Sequence, residues 1–220
     1  MILVHTMPQR SSEWFQIRLG KLTGSVADDM LSVGAKGIET AGRRALRVNL
    51  AAERLGGKGQ PAGFINADMQ RGIDLEAEAR RAYQESSIGT LVDEVGFMEN
   101  TEYPHMGCSV DGVSLDGKLI IEIKCPRPEN HWETMQHGLP KKYVPQITHN
   151  LMISGAQVCD FVSYCPMMPP GLELIILPVS RESLDMHGYA TKAQAFMQEV
   201  NAVVALMELE VEKRRGTRSE

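Results

Sequence analysis

No stretch of this 220-residue chain stays apolar long enough to span a bilayer, which argues against a membrane-spanning helix. Its start, MILVHTMPQRSSEW, lacks the basic segment and long apolar run of a secretory signal, so a cytoplasmic location is expected. None of the cysteines form a C-x-x-C pair. Cys108, Cys125, Cys159 and Cys165 therefore lack the close spacing of a zinc or iron–sulfur site and read as buried free thiols in a reducing compartment. Internal repeats and low-complexity tracts are missing as well. So is any excess of positive charge: 28 Asp and Glu against 23 Lys and Arg leave a net charge of −5. That argues only weakly against nucleic acid as a partner, because DNA meets only the surface it touches.

What is present is a chain with 43% hydrophobic residues, enough for a substantial core, and a length that suits one domain. The basic residues are clustered, in GRRALRVNLAAER, ARRAY, KCPR, LPKKY and EKRRGTR, so a positive groove on an acidic body is compatible with the composition. Helical patterns run through EWFQIRLG after a Ser11 or Ser12 cap, through TGSVADDMLSVG with Thr23 or Ser25 near its start, and through ETAGRRALRVNLAAERLG and NADMQRGIDLEAEARRAYQESS. The Gly- and Pro-rich residues 54–64 read as a surface loop. Strands follow in GTLVDEVGFM, HMGCSVDGVS and KLIIEIK, then helices in PENHWETMQHGLP and KKYVPQITHNLMISG. Strands QVCDFVSYC and LELIILPVS come next, and a long helix from about residue 183 to 215 closes the chain. This order predicts an α/β (α+β) protein with a central mixed β-sheet flanked by helices. Its N-terminal helices would occupy residues 11–86, the sheet core 89–180.

The most informative stretch is HMGCSVDGVSLDGKLIIEIKCP, residues 105–126. Asp116–Gly117 is a good hairpin turn. Alternation along LIIEIK sends Ile121 and Ile123 to one face and Ile120, Glu122 and Lys124 to the other. A hairpin would bring Asp111 close to Glu122. Two adjacent carboxylates repel unless something positive lies between them, and Mg²⁺ suits such a pair because it takes one or two carboxylates together with water and phosphate oxygens. Lys124 could then orient or deprotonate a water or steady charge on phosphate. The competing reading is an exposed Glu122–Lys124 pair on an edge strand, with Asp111 a turn residue.

CSVDGVSLDGKLIIEIKCP resembles the catalytic hairpin of the PD-(D/E)xK nuclease superfamily, and more closely the phage lambda exonuclease, or YqaJ-type viral recombinase, family. Three further stretches agree in order: EWFQIRLGKLTGS with Trp14, Arg18, Gly20, Thr23 and Ser25; RGIDLEAEARRAY with Gly72, Glu76, Ala79 and Arg80; and YVPQITHNLMISGA with Tyr143 and Gln146. The resemblance implies a restriction-endonuclease-like core and a single nuclease domain over residues 1–220. It implies metal binding by Asp111, Glu122 and the Ile123 carbonyl, a catalytic Lys124, an additional acid at Glu76, and Gln146 at the border of the site. Arg18 and Ser25 would hold a 5′-terminal phosphate. The family's later phosphate-binding arginine has no counterpart here. The stretch reads RPENHWETM, where Arg127 comes early and Asn130 or His131 are the other candidates.

The implied activity is Mg²⁺-dependent 5′→3′ digestion of one strand of linear double-stranded DNA, with Mn²⁺ able to substitute and two ions per site. The implied setting is a phage recombination system in a bacterial cytoplasm, with a homotrimeric ring and a single-strand annealing protein as partner. The alternatives are an endonuclease on the same core, or a catalytically inactive DNA-binding or scaffold protein. Each residue also has a plainer reading: Arg18 on a solvated helix face, Ser25 as a helix cap, Glu76 paired with Arg80, Trp14 in the core, and Tyr143 and Gln146 at packing and surface positions. His105, His131, His137 and His149 form no ligand pattern and read as solvated or satisfied.

Overall fold

Leu119–Lys124 alternates between two apolar environments, as LIIEIK predicts, and this strand is the centre of the molecule. In a computed structural model, which describes residues 1–56, 67–86 and 88–216, the strands in chain order are β1 (Ile2–His5), β2 (Leu22–Thr23), β3 (Val92–Asp93), β4 (Phe97–Asn100), β5 (Met106–Cys108), β6 (Gly112–Ser114), β7 (Leu119–Lys124), β8 (Val158–Tyr164) and β9 (Leu174–Ser180). The helices are α1 (Ser12–Arg18), α2 (Ala27–Leu31), α3 (Ala41–Arg54), α4 (Ala67–Glu85), α5 (Pro128–His137), α6 (Val144–Ser154) and α7 (Met186–Gly216).

β7 lies in the middle of a five-stranded sheet ordered β3-β6-β7-β8-β9, antiparallel to β6 and parallel to β8. On one face Ile121 and Ile123 pack with Ala79 and Tyr83 of α4. The Tyr83 hydroxyl donates to Asp160 Oδ2 at 2.6 Å, tying α4 to β8. On the other face Ile120 packs with Ile147 and Leu151 of α6, Ala51 of α3, and Phe196 and Val200 of α7. α6 is buried from Ile147 through Ser154, so it is a core helix with no polar outer face. It ends at Gly155, whose φ of +73° supplies the left-handed cap that a β-carbon would disfavour.

Where one sheet is expected, the described strands form two. β1, β4, β5 and β2 make a separate four-stranded sheet. GTLVDEVGFM and HMGCSVDGVS, each read as one strand, are each broken between the sheets: β3 and β6 join the larger, β4 and β5 the smaller. The first break falls at Gly96, whose backbone N–H donates to the His5 carbonyl and where a β-carbon would lie 2.1 Å from the Met7 carbonyl. β1, with no expected counterpart, pairs with β4. Thr23 lies in β2, opposite Gly107, and directly precedes the 3₁₀ turn Gly24–Val26 that opens the helical stretch, without a side-chain cap bond. Ser25 sits in a single 3₁₀ turn before α2. Ser183 likewise belongs to a 3₁₀ turn preceding α7. The loop predicted over residues 54–64 lies, from residue 57 on, outside the described residues. No helix among the described residues is long and apolar enough to cross a membrane. The four cysteines are buried and free, as expected.

Candidate active site

The β6–β7 hairpin turns at Gly117, whose φ of +69° a glycine tolerates, and its N–H donates to the Ser114 carbonyl. Its register sets Gly112 against Ile121, which leaves Asp111 opposite Glu122. The Asp111 N–H donates to the Ile121 carbonyl at 3.1 Å, and Asp111 Oδ2 accepts from the Ile123 N–H at 2.6 Å. Both carboxylates line a cleft of about 750 Å³. The exposed edge-strand reading of Glu122 is excluded: β7 is central and Glu122 is 2% exposed.

Burial of that carboxylate is compensated by donors. Glu122 Oε1 accepts from Lys124 Nζ and from Gln146 Nε2, each at 2.6 Å, and Oε2 accepts from Asn150 Nδ2 at 2.9 Å. Gln146 and Asn150 stand one turn apart on α6, so one helical face supplies both. Lys124 Nζ also lies 5.2 Å from the Tyr143 ring centroid. Burial opposes the charge on Lys124, but Glu122 and Asp111 more than offset it and hold the group as an ammonium. Asp111 has the converse problem. Burial, then the neighbouring Glu122 and Glu76, push its carboxyl well above the usual range, with Lys124 and the Ile123 N–H acting only partly against them.

Glu76, on α4, lines the same cleft and makes the expected pair with Arg80. It accepts from Arg80 Nη2 at 2.9 Å and from Arg10 Nη2 at 2.6 Å. Arg80 in turn donates through Nε to the Asp111 carbonyl at 2.8 Å and pairs with Glu94.

Arg18 is not on a solvated helix face. Its guanidinium lies 4.0 Å from the Trp14 ring centroid and donates to Ser109 Oγ at 3.1 Å and Thr23 Oγ1 at 3.4 Å. It has no carboxylate partner among the described residues, and desolvation lowers its pKa to about 10. A half-buried cation with hydroxyl partners and no counter-charge is suited to an anion. Ser25 is exposed at the same wall, 3.3 Å from Thr23 Oγ1. Trp14, expected in the core, instead lies half-buried beneath Arg18 and donates through Nε1 to Ser109 Oγ at 2.8 Å.

Arg127 reaches the cleft at the start of α5, but its Nε donates to Asp68 Oδ1 at 2.8 Å, an acceptor shared with Arg71 Nη1 at 2.9 Å. Arg71 also donates to the Cys125 carbonyl at 3.1 Å. Of the other two candidates near it, Asn130 lines the cleft. His131 points into the core, bonded to Ser163 Oγ and the Leu172 carbonyl, so it does not reach a ligand there. Sequence reasoning missed Arg71 and Asn150. The Gln146-x-x-x-Asn150 spacing on one helix face was the available signal for the latter.

The donor set fits a hard divalent cation. Two carboxylates meet across a hairpin, one of them short of compensating positive charge. Among the described residues no group of three or more His, Cys, Asp or Glu side chains is arranged to hold a metal ion, so a cation at this pair of carboxylates would take its other ligands from backbone carbonyl, water and phosphate oxygens.

A family model described as the YqaJ-like viral recombinase domain matches residues 13–157. Among solved structures, the alkaline exonuclease LHK-Exo from Laribacter hongkongensis is 32% identical, with a TM-score of 0.82 over 92% of this chain and 99% of that one. The same values hold for LHK-Exo in complex with dAMP. A phage-related exonuclease from Haemophilus somnus 129PT shares the fold at a TM-score of 0.60, with 14% identity, over 85% of this chain and 96% of that one. Comparison with curated proteins finds no match.

Proposed function

The chain belongs to the YqaJ-like viral recombinase domain family, and from that premise we propose that it is a divalent-metal-dependent deoxyribonuclease that digests one strand of linear double-stranded DNA from the 5′ end. The observation that carries the reading is the placement of Asp111, at the residue before β6, opposite Glu122 of β7, with the Lys124 ammonium 2.6 Å from Glu122. LHK-Exo, a relative of nearly the same extent, is an alkaline exonuclease, and its complex with dAMP holds a deoxynucleoside monophosphate, the product class of such cleavage.

Asp111, Glu122 and the Ile123 carbonyl would hold Mg²⁺, with Mn²⁺ able to substitute and two ions in the working site. When bound, the metal supplies polarisation of the scissile phosphate and a lowered pKa for an attacking water. Lys124, held as an ammonium by its acidic neighbours, donates to the attacking water or to the non-bridging oxygens and steadies the charge that develops there. As a cation it orients the water and leaves proton removal to another acceptor. Gln146 holds the Glu122 carboxylate through Oε1. Glu76, braced by Arg80 and Arg10, adds negative potential on the far side of Asp111. Arg18, stacked on Trp14, takes the 5′-terminal phosphate, with Ser25 at the rim and Arg127 as a secondary contact. Contacts of this kind go to phosphate, so sequence preference is low.

The chain would act as one nuclease domain in a homotrimeric ring, beside a single-strand annealing protein in a phage recombination system. The test is cleavage of a 5′-phosphorylated linear duplex and of a covalently closed circle, each with Mg²⁺ and with EDTA. Degradation of the linear duplex alone, and only with metal, is expected. Cutting of the closed circle would replace the reading with an endonuclease, and no metal-dependent cleavage of either would leave a DNA-binding protein of this fold.

A further inference from the structure

Asn150 is 1% exposed, in the middle of the most buried helix of the molecule. Its Nδ2 donates to Glu122 Oε2 at 2.9 Å, and its Oδ1 is buried with no hydrogen-bond partner among the described residues. A buried acceptor without a donor costs free energy, and a leucine of similar shape would avoid that cost. The opposite amide orientation would turn Oδ1 toward a carboxylate oxygen, so the interaction with Glu122 fixes the orientation and leaves Oδ1 as the orphan.

The opposing backbone is shaped around that orphan. A β-carbon on Gly24 would lie 2.2 Å from Asn150 Oδ1, so the amide fits only because residue 24 is glycine. Gly24 has no positive φ that would by itself demand glycine, which leaves the close approach of the Asn150 amide as the physical reason for it. Gln146 and Asn150 then grip different oxygens of Glu122 and fix the plane of the carboxylate. The Asn150 backbone carbonyl accepts from Cys108 Sγ at 4.0 Å, which links α6 to the strand leading into Asp111.

We propose that Asn150, seated against Gly24, is a positioning residue that sets the orientation of Glu122 for metal binding. This rests on the metal reading of Asp111 and Glu122 given above. Partners that orient a ligand typically shift metal affinity by ~10–100-fold when removed.

The test is calorimetric titration of Mn²⁺ into the DNA-free full chain for wild type, Asn150→Leu, Gly24→Ala and Asp111→Asn, with thermal melting in EDTA alongside. Asn150→Leu keeps the volume and removes the donor. Gly24→Ala leaves Asn150 in place and pushes its amide away, which provides a second route should the leucine variant fail to fold. Expected are Mn²⁺ binding by wild type, loss in Asp111→Asn, and affinity weakened ~10-fold or more in both Asn150→Leu and Gly24→Ala, with cleavage recovered by raised Mn²⁺. Unchanged Mn²⁺ affinity in folded Asn150→Leu or Gly24→Ala overturns the positioning role and leaves the nuclease reading standing. Failure of wild type to bind Mn²⁺ any better than Asp111→Asn overturns the metal reading itself, and this inference with it.

Discussion

The Lys124 ammonium donates to Glu122 Oε1 across 2.6 Å, from a position two residues along the same strand face. The pair is partly shielded from water, so the interaction is stronger than a surface ion pair, and removing the cation leaves Glu122 with Gln146 and Asn150 as its donors among the described residues.

Lys124→Met is accordingly expected to lower the cleavage rate by ~10²–10³-fold while DNA affinity, measured by fluorescence anisotropy with Ca²⁺, stays within a few-fold of wild type. Lys124→Arg restores the charge with a planar, forked group and is expected to recover little of the rate. Equal rates for wild type and Lys124→Met would remove Lys124 from the mechanism.

Asp111→Asn is expected to abolish cleavage and raise the melting temperature of the metal-free protein at pH 8. The folded-state pKa of Asp111 is raised, so its ionisation costs stability above the ordinary carboxylate pKa and that cost grows with pH. The neutral amide escapes it and still accepts from the Ile123 N–H. Added Mn²⁺ should stabilise wild type and not the variant. A lower metal-free melting temperature for the variant would contradict this account.

Arg18→Gln is expected to bring the rate ratio between 5′-phosphorylated and 5′-hydroxyl duplexes from well above one to near one. Among the described residues Arg18 has hydroxyl partners and no carboxylate, so its charge is available to an anion. Arg127→Ala should change that ratio little, because Arg127 is half-exposed and already paired with Asp68. The opposite pattern would exchange the two roles.

His149 makes the fold acid-sensitive. Burial between the Gly107 carbonyl and the Tyr189 hydroxyl lowers its pKa from 6.5 to about 4. A depressed folded-state pKa means the unfolded chain takes up the proton first on acidification. The stability is therefore fully present above pH 6.5 and is lost as pH falls toward 4. The loss from this group amounts to ~3 kcal/mol at most. Urea unfolding of wild type and His149→Phe between pH 7.5 and 4.5 checks it: the gap between the two should close on acidification, and a constant gap would exclude His149 as the cause.

The hairpin was legible because its information is local. Asp116–Gly117 sets the turn and the alternation in LIIEIK sets the faces, which together place Asp111 opposite Glu122 without reference to the rest of the chain. The division into two sheets was not legible, because Gly96 takes its bend from a hydrogen bond to His5, which lies far away in the sequence. β2 was hidden for a related reason: it is two residues long and exists only because Met106 and Gly107 lie beside it. Asn150 was hidden by its helix. A polar residue in THNLMISG suggests a surface position, and only the tertiary packing reveals that the whole segment is buried and that the amide faces a carboxylate. Arg127 was assigned to phosphate from its place in the motif, which carries no information about Asp68 on a distant helix.

Asp111 rides on the short connector by which the backbone leaves the four-stranded sheet for the five-stranded one, whereas Glu122 belongs wholly to the latter. Yet the Asp111 N–H to the Ile121 carbonyl and the Asp111 Oδ2 on the Ile123 N–H clamp it to β7, so the gap between the two acids is insulated from sliding of one sheet over the other. A substitution that wedges the smaller sheet, such as Gly107→Ala against the Phe97 ring, whose centroid lies 5.9 Å from the Arg18 guanidinium, should register first at the Arg18 end of the cleft, as a changed preference between phosphorylated and unphosphorylated ends, with discrimination between small and large divalent ions left as it was.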